Sequence, residues 1–285
     1  MNSNIKHKMK FVQPLTKTMK NLKPTVLDAI YSCWRDYLIH RERFLNERSR
    51  SSVHALRISI RKLEALLGIL KSIYPLKYEN KLLKTIHREL QDLSYLRDIQ
   101  VQKKEIKERS ISNLRRRELR DYLDSAEKKE IKKAVRKMKT SAVIGLTKMM
   151  FKIERRLNDF LVVADENGLK KSLNRLRLDF ARDMYHLERQ IVDLKHSKEN
   201  KFHTLRLDIK DFSYKLEILK PLIIIPAKLE NKIQELKMNL GQLQDLIAFS
   251  KITKDFLRKT KSHPHPNSEM AAQIFQKRTE IIRST

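Results

Sequence analysis

Residues 53–70 read VHALRISIRKLEALLGIL, and their spacing decides the fold. Leu56, Ile60, Leu63, Leu67 and Leu70 recur at three- and four-residue intervals, the period that lines residues along one side of an α-helix. His54, Arg57 and Arg61 fall on the opposite side, within about 60 degrees of one another. The stretch therefore predicts an amphipathic helix that buries its leucines and turns a basic stripe outward.

The same period extends in both directions. Punctuation predicts helices over about 24–46, 52–74, 77–109, 112–139, 141–163, 169–195, 200–220 and 227–259, with a last short helix after the break at 262–268, SHPHPNS. With 4 Gly and 7 Pro in 285 residues the chain is poor in hairpin turns, and the fold class is all-α, of about nine helices. Residues 1–20 read as a basic tail and 21–285 as a single domain.

The opening stretch recurs. FHTLRLDIKDFS, residues 202–213, aligns with VHALRISIRKLE, residues 53–64, at an offset of 149, with histidine, leucine, basic, isoleucine and basic residues in register. Downstream, LSYLRD (93–98) is answered by LGQLQD (240–245) at an offset of 147, and Arg35-Asp36 by Arg182-Asp183 at the same offset. Self-similarity over a long period means that one structural unit is used twice. We expect two bundle-like halves, about 21–140 and about 141–285.

The second copy carries the same chemistry as the first. His203, Arg206 and Lys210 line up, Tyr214 continues their stripe, and Leu205, Ile209, Phe212, Leu216 and Leu219 oppose them. If the halves pair about a pseudo-twofold, both stripes face a shared groove or channel. Arginine offers phosphate two parallel hydrogen bonds, and a histidine held among anions favours its protonated form. A basic face opposite leucines is ordinarily just solvated surface; recurrence at the same phase sets these two apart. Asp98 and Asp245 are expected to pair with cations across the bundle, not to catalyse.

The charge balance agrees. Lys and Arg number 63 against 34 Asp and Glu, a formal charge of +29, so the expected partner is an anion. The helix over 112–139 is also strongly basic, but Glu118, Asp121, Glu127 and Glu130 interleave, so much of it is expected to be solvated face. The single cysteine, Cys33, cannot form an intramolecular disulfide, which fits a reducing compartment such as the cytoplasm. No apolar run is long enough to span a membrane, so no membrane insertion is expected. His263 and His265 lack further ligands nearby, and no metal site is expected. No cofactor is expected either, because glycine-rich phosphate loops, metal-patterned carboxylate pairs and nucleophile motifs are all missing. Nothing in the pattern fixes an oligomeric state.

VHALRISIRKLEALL, LSYLRDIQV, FHTLRLDIKDFSYKLE and LGQLQDL together resemble the CHAD family of histidine-containing α-helical domains, over nearly the whole chain. The resemblance implies two pseudo-symmetric four-helix repeats around a basic channel and a non-catalytic role in binding inorganic polyphosphate, often at polyphosphate granules. The implied contacts are His54, Arg57, Arg61 and Lys62 in the first copy and His203, Arg206 and Lys210 in the second. Where the family pattern continues with basic residues, this chain has Glu64, Asp211 and Ser213, and Ser94 stands where the second copy has Gly241. Either the groove is shorter here or other helices compensate through Arg35, Arg88, Arg175 and Arg182.

Three other functions compete with that one. Nucleic-acid binding also suits the net charge, but of the aromatics only Tyr214 clearly lies within a basic stripe, and base stacking calls for more. A histidine phosphotransfer domain needs one exposed reactive histidine, not two inside cationic stripes. Divalent-metal chelation is opposed by the same cations, which repel the metal.

Overall fold

Apolar residues every third or fourth position produce ten helices among the residues that the computed structural model describes, which are 15–74, 79–108, 113–140, 143–194, 199–223, 227–259 and 268–284. They are α1 (Leu15–Glu47), α2 (Arg50–Ile73), α3 (Glu79–Asp92), α4 (Ser94–Glu108), α5 (Asn113–Thr140), α6 (Val143–Val163), α7 (Glu166–Asp193), α8 (Glu199–Leu219), α9 (Ala227–Lys259) and α10 (Ser268–Ser284). No strand occurs among the described residues. Helix α1 starts at Leu15 instead of near Pro24, which stands inside it on the exposed side, so the expected basic tail is already helical over its last residues. His263 and His265 lie outside the described residues.

Helix α2 sits at the centre. Its start is set by Arg48, whose φ of 54° ends α1 in the left-handed region, and by Ser49, whose hydroxyl accepts the Ser52 backbone N–H at 3.1 Å. Leu56, Ile60, Leu63, Leu66, Leu67 and Leu70 are each fully covered, so the leucine stripe is buried as its spacing predicts. At the far end, Ser172 and Arg175 of α7 donate to the otherwise unused carbonyl of Ile73 at 3.0 and 3.1 Å.

From there α7 runs back along α2. Asp183 of α7 holds Lys215 of α8 at 2.9 Å, and the Lys215 stem passes Gly68 of α2, where a Cβ would meet its Cε at 3.6 Å. Phe180 stacks on Phe212 at 4.9 Å between ring centres, and Gln190 donates to Asp208 at 2.6 Å, so α8 is also antiparallel to α7. The two histidine-bearing helices, α2 and α8, consequently run parallel, packed side by side. One continuous apolar core joins residues of α1 to α3 with residues of α6 to α9, and a smaller cluster of Ile99, Ile106, Leu123 and Phe256 unites α4, α5 and α9.

The helix expected over 77–109 is broken at Leu93 into α3 and α4, and the cause is a side chain from elsewhere. The Leu90 carbonyl accepts from Arg57 Nη1 at 3.0 Å and from the Ser94 hydroxyl at 2.9 Å, and Arg57 Nη1 reaches the same hydroxyl at 2.9 Å. A guanidinium inserted into the backbone ladder diverts that carbonyl and bends the helix. Helix α9, with Gly241 where α4 has Ser94, runs unbroken.

Candidate functional site

The parallel packing of α2 and α8 brings Arg57 and Arg61 together with Arg206 and Lys210. Each lies within electrostatic reach of the others: Arg57 is affected by Arg61 and Arg206, and Lys210 by Arg206, Arg61 and Arg57. All four are partly covered, because the leucines beside them anchor both helices in the core. Burial and the neighbouring cations both disfavour the charged form of Arg57, Arg206 and Lys210. Burial first, and then Arg206, Arg61 and Arg57, push the Lys210 ammonium down to about 7. Burial likewise lowers Arg57 to about 10, leaving it a cation at neutral pH, and lowers Arg206. The Arg206 Nε–H is buried and has no hydrogen-bond partner among the described residues.

The histidines differ. His54 is pulled below its ordinary value by partial burial and then by Arg97, Lys210, Arg57 and Arg50, so it is neutral at neutral pH in the free protein. The protonated form expected of a histidine among anions would require the anion itself. His203 Nδ1 lies 2.8 Å from Gln244 Oε1 of α9. In the sequence repeat Gln244 corresponds to Arg97, so one histidine meets an amide where the other meets a cation.

Two carboxylates face the cluster from α4 and α9. Burial raises Asp98, against the opposing pull of Arg57, Arg206 and His203, and raises Asp245, against that of Arg206. Both lie within electrostatic reach of these cations, but among the described residues neither carboxylate forms an ion pair with one, so the pairing expected from sequence is met only through the field.

Beyond Arg61 and Lys210 the row closes in ion pairs. Lys62 bonds Glu217 of α8 at 2.6 Å, which outweighs its burial and holds the ammonium above its ordinary value. Glu64 meets His87 at 2.7 Å, and Asp211 meets Lys215 at 2.8 Å. Tyr214 lies alongside; burial raises its phenol although Arg61 and Lys62 pull it down, and Lys237 stands 5.7 Å from its ring centre.

The four compensating arginines are not brought into this cluster. Arg35 is exposed on α1, against Asp36 at 3.5 Å and over the Tyr31 ring. Arg88 is exposed on α3. Arg175 closes the end of α2 at Ile73, about 18 Å along the helix from Arg61. Arg182 pairs with Asp179 at 3.0 Å and lines a separate cavity beside Gly68 and Lys71. In their place stand Arg97 of α4 and Arg50 at the start of α2, which the spacing of the basic stripes alone does not single out. Arg97 was within view, because it precedes Asp98 in the repeated LSYLRD motif.

Among the described residues no cluster of histidine, cysteine and carboxylate side chains could hold a metal ion, and no helix is long and apolar enough to cross a membrane.

Among curated protein sequences none matches the chain. The structure is similar to the crystal structure of the CHAD domain from the plant Ricinus communis, with a TM-score of 0.64 at 14% identity, covering 91% of this chain and 85% of that one. At that identity the similarity speaks for the fold. The family model for the CHAD domain matches residues 28–252, a span that takes in α2, α8, Arg97 and Asp245, and the chain therefore belongs to the CHAD family.

Proposed function

We propose that this chain binds inorganic polyphosphate, without catalysing a reaction on it, in the cationic cluster between α2 and α8. The observation that carries the reading is the unmet positive charge: a lysine pushed to about 7 by burial and three arginines, in a place where folding has already removed water. An anion relieves both penalties at once. A linear anion does so best, because the cations form a row from Arg50 to Arg61 on α2, about 16 Å long, with Arg206 and Lys210 of α8 alongside. Membership of the CHAD family supports the same ligand. The sequence repeat and the parallel course of α2 and α8 support two pseudo-symmetric halves meeting at this row. We place the protein in the cytoplasm, at polyphosphate granules where these form.

The test is a titration of the intact protein with size-defined polyphosphate, orthophosphate and single-stranded nucleic acid at physiological salt. Arg206→Gln with Lys210→Gln should weaken polyphosphate binding about 100-fold, since each lost charged contact is worth about 1.5 kcal/mol or more. Undiminished affinity in that variant, or wild-type affinity for single-stranded nucleic acid equal to that for polyphosphate, would sink the assignment.

A further inference from the structure

We propose that the solvent face of α5 is a second polyanion surface, which takes the phosphate backbone of a nucleic-acid duplex independently of the α2–α8 cluster. On sequence alone the carboxylates of this strongly basic helix look interleaved among its cations. The fold separates them. Glu127 turns toward α4, where it binds Lys103 at 2.5 Å together with Asp124, and Glu130 pairs with Lys133 at 3.4 Å. Those carboxylates are spent on or near the packing side of the helix, which buries Leu119, Leu123, Ala134 and Met138.

On the opposite side Lys128, Lys132, Arg136 and Lys139 are exposed, and among the described residues none of them has an ion-pair or hydrogen-bond partner. They stand four, four and three residues apart, one above another over about 16 Å of helix. Like charges at this spacing destabilise a helix, so the stripe stores repulsion that a bound polyanion removes. Glu118 and Asp121, also exposed, precede it and mark its acidic end.

The geometry selects a duplex. An outward helical face has no walls to enclose a thin chain. It also offers no ring for stacking unpaired bases: Tyr122, on the same helix, is turned inward, 5.6 Å from the Phe256 ring centre. What remains is a straight row of flexible cations, suited to sequence-independent contact with a broad, regular phosphate backbone.

Binding of a mixed-sequence DNA duplex to the full chain, measured across a salt series with polyphosphate in parallel, tests the proposal. Changing Lys128, Lys132, Arg136 and Lys139 together to Gln should weaken duplex binding by about tenfold or more and flatten the log–log salt slope by about three to four. Polyphosphate affinity should change little. Glutamine is a good helix former, so the variant should keep its helical circular dichroism. Were it to misfold, Lys128→Gln with Lys132→Gln should show about half the change in slope. Unchanged duplex affinity and slope overturns the proposal, and so does duplex binding that depends on Arg206 and Lys210 instead. Duplex binding that requires α5 in a protein that ignores polyphosphate would leave this proposal standing and remove the one above.

Discussion

Helices α2 and α8 carry matching stripes, yet the equivalent arginines do different work. Arg57 is tied down: its guanidinium holds the Leu90 carbonyl and the Ser94 hydroxyl and keeps the break between α3 and α4. Arg206 has a buried Nε–H with no partner among the described residues, and the lysine one turn further on is pushed down to about 7. The first copy of the motif builds the site, and the second is left with charge to offer. A sequence repeat can thus preserve residue types while dividing their roles, and the division follows from what each side chain can reach.

The sharpest way to break this comparison is to remove Arg57. Arg57→Ala leaves a partly buried carbonyl without its charged donor, and we expect a loss of about 1–3 kcal/mol of stability in denaturant unfolding. Arg57→Lys should recover only part of it, because both bonds come from the terminal Nη1 and the shorter lysine side chain must stretch to place its ammonium there. Arg206→Ala, by contrast, should leave stability unchanged or raise it. Equal losses at the two positions would show that the copies share the structural role.

The next effect is on protons. Lys210 has an ordinary value of 10.5 and is pushed to about 7 in the folded protein, so between those values the unfolded chain holds more protons. Stability of the free protein should therefore rise with pH across that window. A bound phosphate chain restores the lost proton. Binding should take up about half a proton at pH 7, approach one above it, and weaken as pH rises, as calorimetry in buffers of different ionisation heat would record. Lys210→Arg should bind with less uptake, the remainder belonging to His54, and uptake undiminished in that variant would locate it away from Lys210.

The smallest effect separates the histidines. Arg97 is the cation that depresses His54 most, after burial, so Arg97→Gln should move the His54 titration upward in a nuclear magnetic resonance experiment. Gln244 already occupies the corresponding place beside His203. An unmoved His54 would mean that burial and the remaining cations, Lys210, Arg57 and Arg50, set its value.

How far these features could be read in advance depends on the distance over which each is decided. The helices follow from local spacing, and the leucines of α2 are buried as their period requires. The pairing of α2 with α8 was foreshadowed because the repeat brings the same face back. The break at Leu93 was hidden, since it is made by Arg57, 33 residues from the Leu90 carbonyl that it takes. Arg35, Arg175 and Arg182 looked available for the same reason, as sequence position does not show that Arg175 is taken by Ile73 or that Arg182 faces Asp179. On α5 the carboxylates read as interleaved among the cations, and only packing shows that Glu127 and Asp124 face another helix.

The ion pairs that close the row, Lys62 with Glu217, Glu64 with His87 and Asp211 with Lys215, have a consequence for stoichiometry. They act as a stop, so under the proposed function one copy occupies a fixed stretch of polymer however long the polymer is. Longer chains then gain copies instead of tighter grip. Valency should grow in proportion to chain length, and a single polyphosphate strand would become a scaffold along which many copies gather.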